Sequence, residues 1–124
     1  PFFKSILLST YMKERVDKFK IGVVGNGYVG KATQLFTCKD IECVVYDKGP
    51  DKCEPSGTTP KDLKGCDFVF VCVPTPMKPN GSCDLSIVKS AIKDLTKAGV
   101  RKNKIVLRST VPVGIISGFL GWII

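Results

Sequence analysis

Three glycines lie close together between an apolar run and a helix-like run in KIGVVGNGYVGKATQLF, which spans residues 20–36. The apolar run KIGVVG is rich in β-branched residues and ends in glycine, as a buried strand does. The following YVGKATQLF predicts the first helix, with Val29, Ala32 and Phe36 on one apolar face. A strand that turns through glycines into a helix is typical of an α/β fold.

The rest of the chain continues this alternation. Three further strands are predicted by ECVVYD (42–47), DFVFVCVP (67–74) and NKIVLRST (103–110). TPKDLKGC predicts a helical turn with Thr59 as N-cap and Pro60 at the first helical position. The clearest helix is DLSIVKSAIKDLTKAG, which ends at Gly99 and carries an apolar stripe of Leu85, Val88, Ala91, Ile92 and Leu95. The alternation predicts one domain with a Rossmann-type doubly wound parallel sheet.

Each glycine of the first turn has its own steric reason in a dinucleotide-binding fold. Gly25 permits the tight turn, Gly27 lets the backbone approach a pyrophosphate, and Gly30 lets the helix pack close to the strand. The helix N-terminus then offers free N–H groups and the positive end of its dipole to the phosphates. The turn is therefore predicted to hold a dinucleotide.

Asp47 ends the next predicted strand, where a carboxylate accepts hydrogen bonds from the adenosine ribose hydroxyls. Its charge would repel a 2′-phosphate, so the pattern favours NAD over NADP. Lys48 follows directly and works against this preference, since a cation there could face a phosphate. The alternative interpretation is a glycine-rich turn followed by a surface aspartate.

Hydroxyl groups follow two of the predicted strands. The third strand ends in VPTP, residues 73–76, and the fourth runs into STVPVG, residues 109–114. Ligands bind at the carboxyl ends of parallel strands, so these hydroxyls are predicted to face the dinucleotide. Turn chemistry is an equal alternative, because proline and threonine commonly end strands.

Composition narrows the ligand and the cellular setting. The net charge of +8 and the pI near 9.3 fit an anionic ligand. Lys89, Lys93 and Lys97 mark a solvated helix face, and no aromatic residues interleave with them as a nucleic-acid groove would require. The six cysteines form no CxxC pair and the chain has no histidine, which argues against a metal site. We expect reduced thiols, a cytoplasmic location, no signal peptide and no membrane span.

The motifs GVVGNGYVG, VFVCVPTP, GSCDLSIVKSAI and STVPVG resemble, in the same order, the NAD-binding domain of the UDP-glucose/GDP-mannose dehydrogenase family. The similarity covers about residues 20–114 and is greatest to members that oxidise UDP-glucose. It implies NAD-dependent oxidation of a sugar C6 hydroxyl to a carboxylate by a homo-oligomer. It also implies that Thr75 and Thr110 line the cofactor groove, with Thr110 beside the reaction centre. The predicted cofactor-binding set is Gly25, Asn26, Gly27, Tyr28, Val29, Gly30, Asp47, Lys48, Val73, Pro74, Thr75, Ser109 and Thr110.

The chain departs from the family pattern at two places. The segment between the second and third strands is short where the family has a helical insertion. The family's catalytic cysteine, lysine, asparagine and aspartate follow STVPVG, so no catalytic nucleophile is assigned here.

Residues 115–124 form an apolar tail that fits a truncation or frameshift; a strand in a dimer contact is the alternative. Residues 1–19 are interpreted as an N-terminal extension in which Met12 is a candidate start.

Other functions remain open on the residues alone. A 6-phosphogluconate or hydroxyacid type of Rossmann dehydrogenase shares the glycine turn, although VPTP with STVPVG argues against it. A non-catalytic nucleotide-binding relic needs the turn and Asp47 only. A methyltransferase also uses a glycine loop and an acidic residue, and Gly30 disfavours it.

Overall fold

Four parallel strands form the sheet at the centre of the fold. The computed structural model describes residues 19–112 and 114, so most of the predicted N-terminal extension and the predicted apolar tail lie outside the described residues. The strands are β1 (Phe19–Val24), β2 (Ile41–Tyr46), β3 (Phe68–Val71) and β4 (Ile105–Leu107). Their spatial order is β2-β1-β3-β4, and every neighbouring pair is parallel. The predicted Rossmann-type fold is confirmed.

In the described part of the chain, two α-helices of unequal length pack on opposite faces of this sheet. Helix α1 (Tyr28–Thr33) leads into a 3₁₀ turn, Gln34–Phe36, and links β1 to β2. Helix α2 (Ser86–Lys97) links β3 to β4 and buries Val88, Ala91, Ile92 and Leu95, which confirms its predicted stripe. The chain crosses from β1 to β2 in one direction along the sheet and from β3 to β4 in the other. Because crossovers between parallel strands are right-handed, the two linking helices lie on opposite faces of the sheet.

The link from β2 to β3 contains 3₁₀ helices in place of an α-helix. They span Pro50–Lys52 and Pro60–Gly65. The second is capped as predicted: Thr59 is the N-cap, and its backbone N–H donates to Asp62 Oδ2 at 2.7 Å. Leu63 of this helix is fully buried beneath the sheet face that α2 also covers. The short segment therefore still closes the core.

The predicted apolar face of the first helix is wrong. Val29 is 42% exposed and Phe36 is 55% exposed, and Ala32 also faces outward. The helix instead buries Gly30 and Thr33. Hydrophobicity does not decide which side faces the sheet here, because the close approach of two backbones selects the side with the smallest residue.

Two predicted strands are shorter than their apolar runs suggest. β3 ends at Val71, and β4 begins at Ile105 because Lys102–Lys104 forms a 3₁₀ helix. Residues 72–76 belong to no strand, although the N–H of Cys72 still donates to the Val24 carbonyl oxygen at 2.8 Å. The apolar run continues past the strand because Cys72 is buried and Val73 is half-buried.

All six cysteines are free thiols in the described structure. Cys72 and Cys66 are buried as small apolar side chains, while Cys43 is half-buried in β2. Within residues 19–112, no group of three or more potential metal ligands comes together. No helix in that range is long and apolar enough to cross a membrane.

Candidate functional site

A cavity of about 680 Å³ opens at the carboxyl ends of the parallel strands. Its walls come from the glycine turn, the end of β2, the segments that follow β3 and β4, and one side of α2. Parallel α/β sheets place their ligands at this edge. The residues that the glycine turn, β2 and their flanks contribute are Val24, Gly25, Gly27, Tyr28, Val29, Tyr46, Asp47, Lys48, Lys52 and Pro60.

The opposite wall is built after β3 and β4 and along α2. It contains the predicted residues of VPTP and STVPVG together with the cavity-facing side of the helix. Its members are Cys72, Val73, Pro74, Thr75, Ile87, Ala91, Asp94, Leu95, Arg108, Ser109 and Thr110.

The structure gives each glycine of the turn a different steric role. Gly25 has a φ of +96°, and a Cβ there would lie 2.8 Å from the Cys72 carbonyl oxygen. A Cβ on Gly30 would overlap the carbonyl oxygen of Gly25, so only glycine allows the helix to lie this close. A Cβ on Gly27 would meet no atom within 4 Å, because that position faces open space at the cavity. Gly25 and Gly30 are required by the fold, and Gly27 leaves room for a ligand.

Asp47 is held at the end of β2 by backbone hydrogen bonds. The N–H of Asn26 donates to Oδ2 at 2.8 Å, and the N–H of Gly49 donates to Oδ1 at 2.8 Å. Burial alone would raise the pKa of this carboxyl, but these two donors and the charge of Lys52 together hold the pKa below its usual value. Each oxygen keeps acceptor capacity for a further donor such as a ribose hydroxyl.

The segment that follows Asp47 is folded back on itself. Val45 and Glu54 exchange backbone hydrogen bonds of 2.7 and 3.0 Å, which closes residues 47–53 into a loop. The thiol of Cys53 donates to the Asp47 carbonyl oxygen at 3.2 Å inside this loop. Lys48 and Lys52 both reach the cavity from it. Lys52 was not predicted, although a second lysine so close to the acidic residue was a usable signal.

The hydroxyl groups predicted from VPTP and STVPVG lie together on the opposite wall. Ser109 Oγ donates to the Val73 carbonyl oxygen at 2.7 Å and so joins the segment after β4 to the segment after β3. Thr75 and Thr110 line the cavity beside this link. Both alternatives are therefore present: Ser109 stabilises the turn, while Thr75 and Thr110 line the cavity.

Arg108 was missed by the sequence reasoning, which treated it as part of the fourth strand. Its guanidinium donates to Thr33 Oγ1 at 3.0 Å and thereby connects the residue after β4 to α1. Thr33 is fully buried and lies 3.6 Å from the Cys72 sulfur. Burial raises the pKa of the Cys72 thiol despite its hydrogen bond with Thr33 and the charge of Arg108. Burial therefore disfavours the thiolate form of this cavity-lining thiol, which makes it a poor nucleophile.

Most of the predicted cofactor-binding residues line this one cavity. Asn26 and Gly30 are the two that do not. Gly30 acts through packing, as described above, and Asn26 is engaged in hydrogen bonds with other parts of the protein. Sequence reasoning also missed Tyr46, Ile87 and Ala91, which give the cavity an apolar wall.

The profile of the UDP-glucose/GDP-mannose dehydrogenase family, NAD binding domain, matches residues 50–124, which is more than half of the chain. The chain belongs to this family. The match includes VPTP and STVPVG and begins after the glycine turn. It confirms NAD as the cofactor class predicted from the turn and Asp47, and the open space at Gly27 and the carboxylate of Asp47 fit that cofactor.

Curated relatives match a larger share of the chain than the family profile does. UDP-glucose 6-dehydrogenase YwqF of Bacillus subtilis is 28% identical over 123 residues, covering 76% of this chain and 28% of the relative. UDP-glucose 6-dehydrogenase TuaD of the same organism is 29% identical over 124 residues, covering 77% of this chain and 27% of the relative. The chain thus spans under a third of the length of these relatives.

Two solved structures share this fold. A UDP-glucose dehydrogenase from the hyperthermophilic archaeon Pyrobaculum islandicum superposes with a TM-score of 0.67 at 24% identity, covering 80% of this chain and 30% of that one. A minor L-lactate dehydrogenase from Enterococcus mundtii gives a TM-score of 0.65 at 19% identity, covering 85% and 41%. At these identities the likeness shows the Rossmann fold.

Proposed function

We propose that this chain is the cofactor-binding part of a nucleotide-sugar 6-dehydrogenase of the UDP-glucose 6-dehydrogenase type. Such an enzyme oxidises the C6 hydroxyl of the sugar to a carboxylate in two NAD-dependent steps. The proposal is supported by the family to which the chain belongs and by relatives described as UDP-glucose 6-dehydrogenases. The family name leaves UDP-glucose and GDP-mannose as alternative substrates.

One observation carries the proposal. The glycine turn, the Asp47 carboxylate and the hydroxyls of VPTP and STVPVG are far apart in sequence, yet they line a single cavity. A glycine-rich turn that served the fold alone would not need an open position at Gly27. Two backbone donors hold the Asp47 carboxylate at the cavity. Their convergence is what a dinucleotide requires.

The two walls of the cavity would bind different parts of the cofactor. Gly25 and Gly27 would hold the pyrophosphate, and Asp47 the adenosine ribose. Thr75 and Thr110 would lie toward the nicotinamide. The bound cofactor would accept a hydride from the sugar, and this chain's residues would bind and orient it. No described residue is assigned as the covalent nucleophile, because the family's catalytic cysteine follows STVPVG and burial disfavours the thiolate of Cys72 in the cavity.

The setting of the whole enzyme is part of the proposal. We expect the sugar-binding residues and the catalytic cysteine to come from the family's further domain. We also expect a cytoplasmic homo-oligomer that acts on a nucleotide sugar and binds neither nucleic acid nor membrane. The relatives' greater length supports a further domain in the functional enzyme.

Calorimetric titration with NAD and NADP tests the cofactor assignment, and S-adenosylmethionine tests the methyltransferase alternative. Asp47→Asn should weaken NAD binding by about 1–3 kcal/mol, because it removes a charge-assisted hydrogen bond to the ribose. It should also reduce the difference in affinity between NAD and NADP, since the negative charge that repels a 2′-phosphate is lost.

Asp51→Asn is the matched control for this titration. It removes the same charge from the same loop at an exposed residue outside the cavity lining. An unchanged NAD:NADP ratio in Asp47→Asn, or an equal change in Asp51→Asn, would contradict the ribose assignment. Tighter binding of S-adenosylmethionine than of NAD would contradict the dehydrogenase proposal itself.

A further inference from the structure

We propose that Asn26 is the positioning residue that fixes the Asp47 carboxylate against the adenosine ribose and so sets the preference of the cavity for a cofactor with a free adenosine 2′-hydroxyl. This inference rests on the proposed NAD binding. It assigns a role to the residue between the first two glycines, which a GxGxxG motif leaves unspecified.

Asn26 makes hydrogen bonds in three directions. Its backbone N–H donates to Asp47 Oδ2 at 2.8 Å. Its side-chain Nδ2 donates to the Lys52 carbonyl oxygen at 2.8 Å, and its Oδ1 accepts from Gln34 Nε2 at 2.9 Å. One residue therefore contacts the carboxylate, the far end of the loop 47–53, and the end of α1.

The chemistry of the partners fixes the orientation of the Asn26 amide. The Lys52 carbonyl oxygen can only accept, so the atom that faces it must be the NH₂ group. Gln34 Nε2 also donates to the Gly30 carbonyl oxygen at 3.3 Å, so the atom of Asn26 that faces Gln34 must be the oxygen. Both side-chain bonds need an amide, and neither an aspartate nor an alanine can make both.

The side chain of Asn26 joins the far end of the loop 47–53 to the glycine turn. The pairing of Val45 with Glu54 closes the loop at its base, and Cys53 bonds within it. Within the described residues, two hydrogen bonds join the loop to Asn26: one at Asp47 and one at Lys52. The side-chain bond holds the end of the loop while the backbone bond holds the carboxylate.

Losing the side-chain bond would let the loop move away from the turn. The Asp47 carboxylate would then lose its fixed distance to the ribose, while the open space at Gly27 for the pyrophosphate would remain. The consequence is specific to the ribose end of the cofactor. A residue that merely supported the fold would weaken the binding of all dinucleotides alike.

The test compares NAD with its analogue that lacks the adenosine 2′-hydroxyl, by calorimetry on the full chain. The parent should bind NAD on the order of tenfold more tightly than the deoxy analogue, as expected for a hydrogen bond to a charged group. Asn26→Asp keeps the shape and removes the donor to Lys52, and it should reduce this preference to about threefold or less. Asn26→Ala should reduce it similarly without adding a charge.

Two further variants separate positioning from folding. Gln34→Ala removes one of the two side-chain partners of Asn26 and should give an intermediate preference. Asn103→Asp makes the same isosteric change at an exposed position just before β4, outside the cavity lining, and should leave the preference at the parent value. Thermal unfolding of each variant shows that it is folded at the titration temperature.

The outcomes are distinguishable. A parent that binds NAD and an Asn26→Asp variant that keeps the full preference would overturn this inference alone. Equal weakening of both dinucleotides in Asn26→Asp and Asn26→Ala would also overturn it, since that result indicates a structural role. A parent that binds neither dinucleotide would overturn the proposed function and this inference with it.

Discussion

The two faces of the sheet are built on different principles. The face that α2 covers holds a continuous apolar core of eight buried residues, namely Val24, Leu63, Cys66, Val69, Val71, Ala91, Leu95 and Val100. The face that α1 covers holds a smaller cluster of Val23, Val45 and Cys72. The first face is stabilised by apolar burial, and the second by the close approach of α1 through Gly30. The close approach of Gly30 to Gly25, which shapes the glycine turn, is therefore on the face with the smaller apolar cluster.

The helices show the same difference. α2 is amphipathic and turns its apolar stripe toward the sheet, while α1 turns Gly30 and Thr33 inward. Apolar side chains near α1, including Leu35 and Phe36, stay exposed in the described structure. A helix that approaches a glycine turn this closely is constrained by backbone distance first, and its hydrophobic residues take the positions that remain.

The largest effect is expected in the core beneath α2. Leu63→Ala should destabilise the protein by about 2–5 kcal/mol, because the Leu63 side chain is fully buried and its removal leaves a cavity against Val69 and Cys66. Urea denaturation measures this loss. A loss below about 1 kcal/mol would mean that the 3₁₀ segment is not part of the core, and the contrast between the faces would fail.

The next effect concerns the backbone contact beneath α1. In an ordinary helix, replacing glycine by alanine stabilises by about 1 kcal/mol. Gly30→Ala should instead destabilise by about 1–3 kcal/mol, because the new Cβ overlaps the Gly25 carbonyl oxygen. Gly27→Ala is the control, since its Cβ meets no atom within 4 Å. Stabilisation by Gly30→Ala would show that α1 is free to shift away from the turn.

A third change should weaken the binding of the ligand without changing the stability of the fold. Gly27→Val projects a side chain into the cavity, so NAD affinity should fall about tenfold or more, which corresponds to 1.4 kcal/mol. Unfolding free energy should stay within about 0.5 kcal/mol of the parent value. Gly65→Val is the matched control, because that exposed glycine also has room for a side chain and lies outside the cavity lining. Unchanged affinity in Gly27→Val would remove the glycine turn from the binding site.

The sequence predicted the sheet and α2 well because both are encoded by apolar periodicity. β1 and β2 and the stripe of α2 follow the rule that the buried side is the apolar side. The prediction for α1 failed because the contact that orients it is made by Gly30, and a periodicity argument gives no weight to a missing side chain. The same motif that identified the turn contained the information needed to orient the helix.

The candidate site was predictable where a motif names its residues and not elsewhere. Gly25, Gly27 and Asp47 have recognisable spacing, and they line the cavity as expected. Arg108 and the wall residue Ile87 reach the cavity through crossings of the chain that spacing does not reveal. The role of Asn26 depends on a carbonyl group of a distant loop, and backbone carbonyls are present at every position of any sequence.

The smallest effect is expected on the outer side of α1, and it provides the sharpest comparison between the faces. Leu35→Ala makes the same chemical change as Leu63→Ala, but the Leu35 side chain is 84% exposed while Leu63 is fully buried. The loss of unfolding free energy in Leu35→Ala should therefore lie within about 0.5 kcal/mol.

Urea denaturation should be run at two protein concentrations that differ by about a hundredfold. A cost near that of Leu63→Ala at both concentrations would mean that another segment of this chain covers Leu35, because a contact within one molecule does not depend on concentration. A cost that grows with concentration would mean that a second copy covers it, since association stabilises the folded state by mass action. Either result would make the α1 face a second apolar core, and the difference between the two faces would then lie in what covers them.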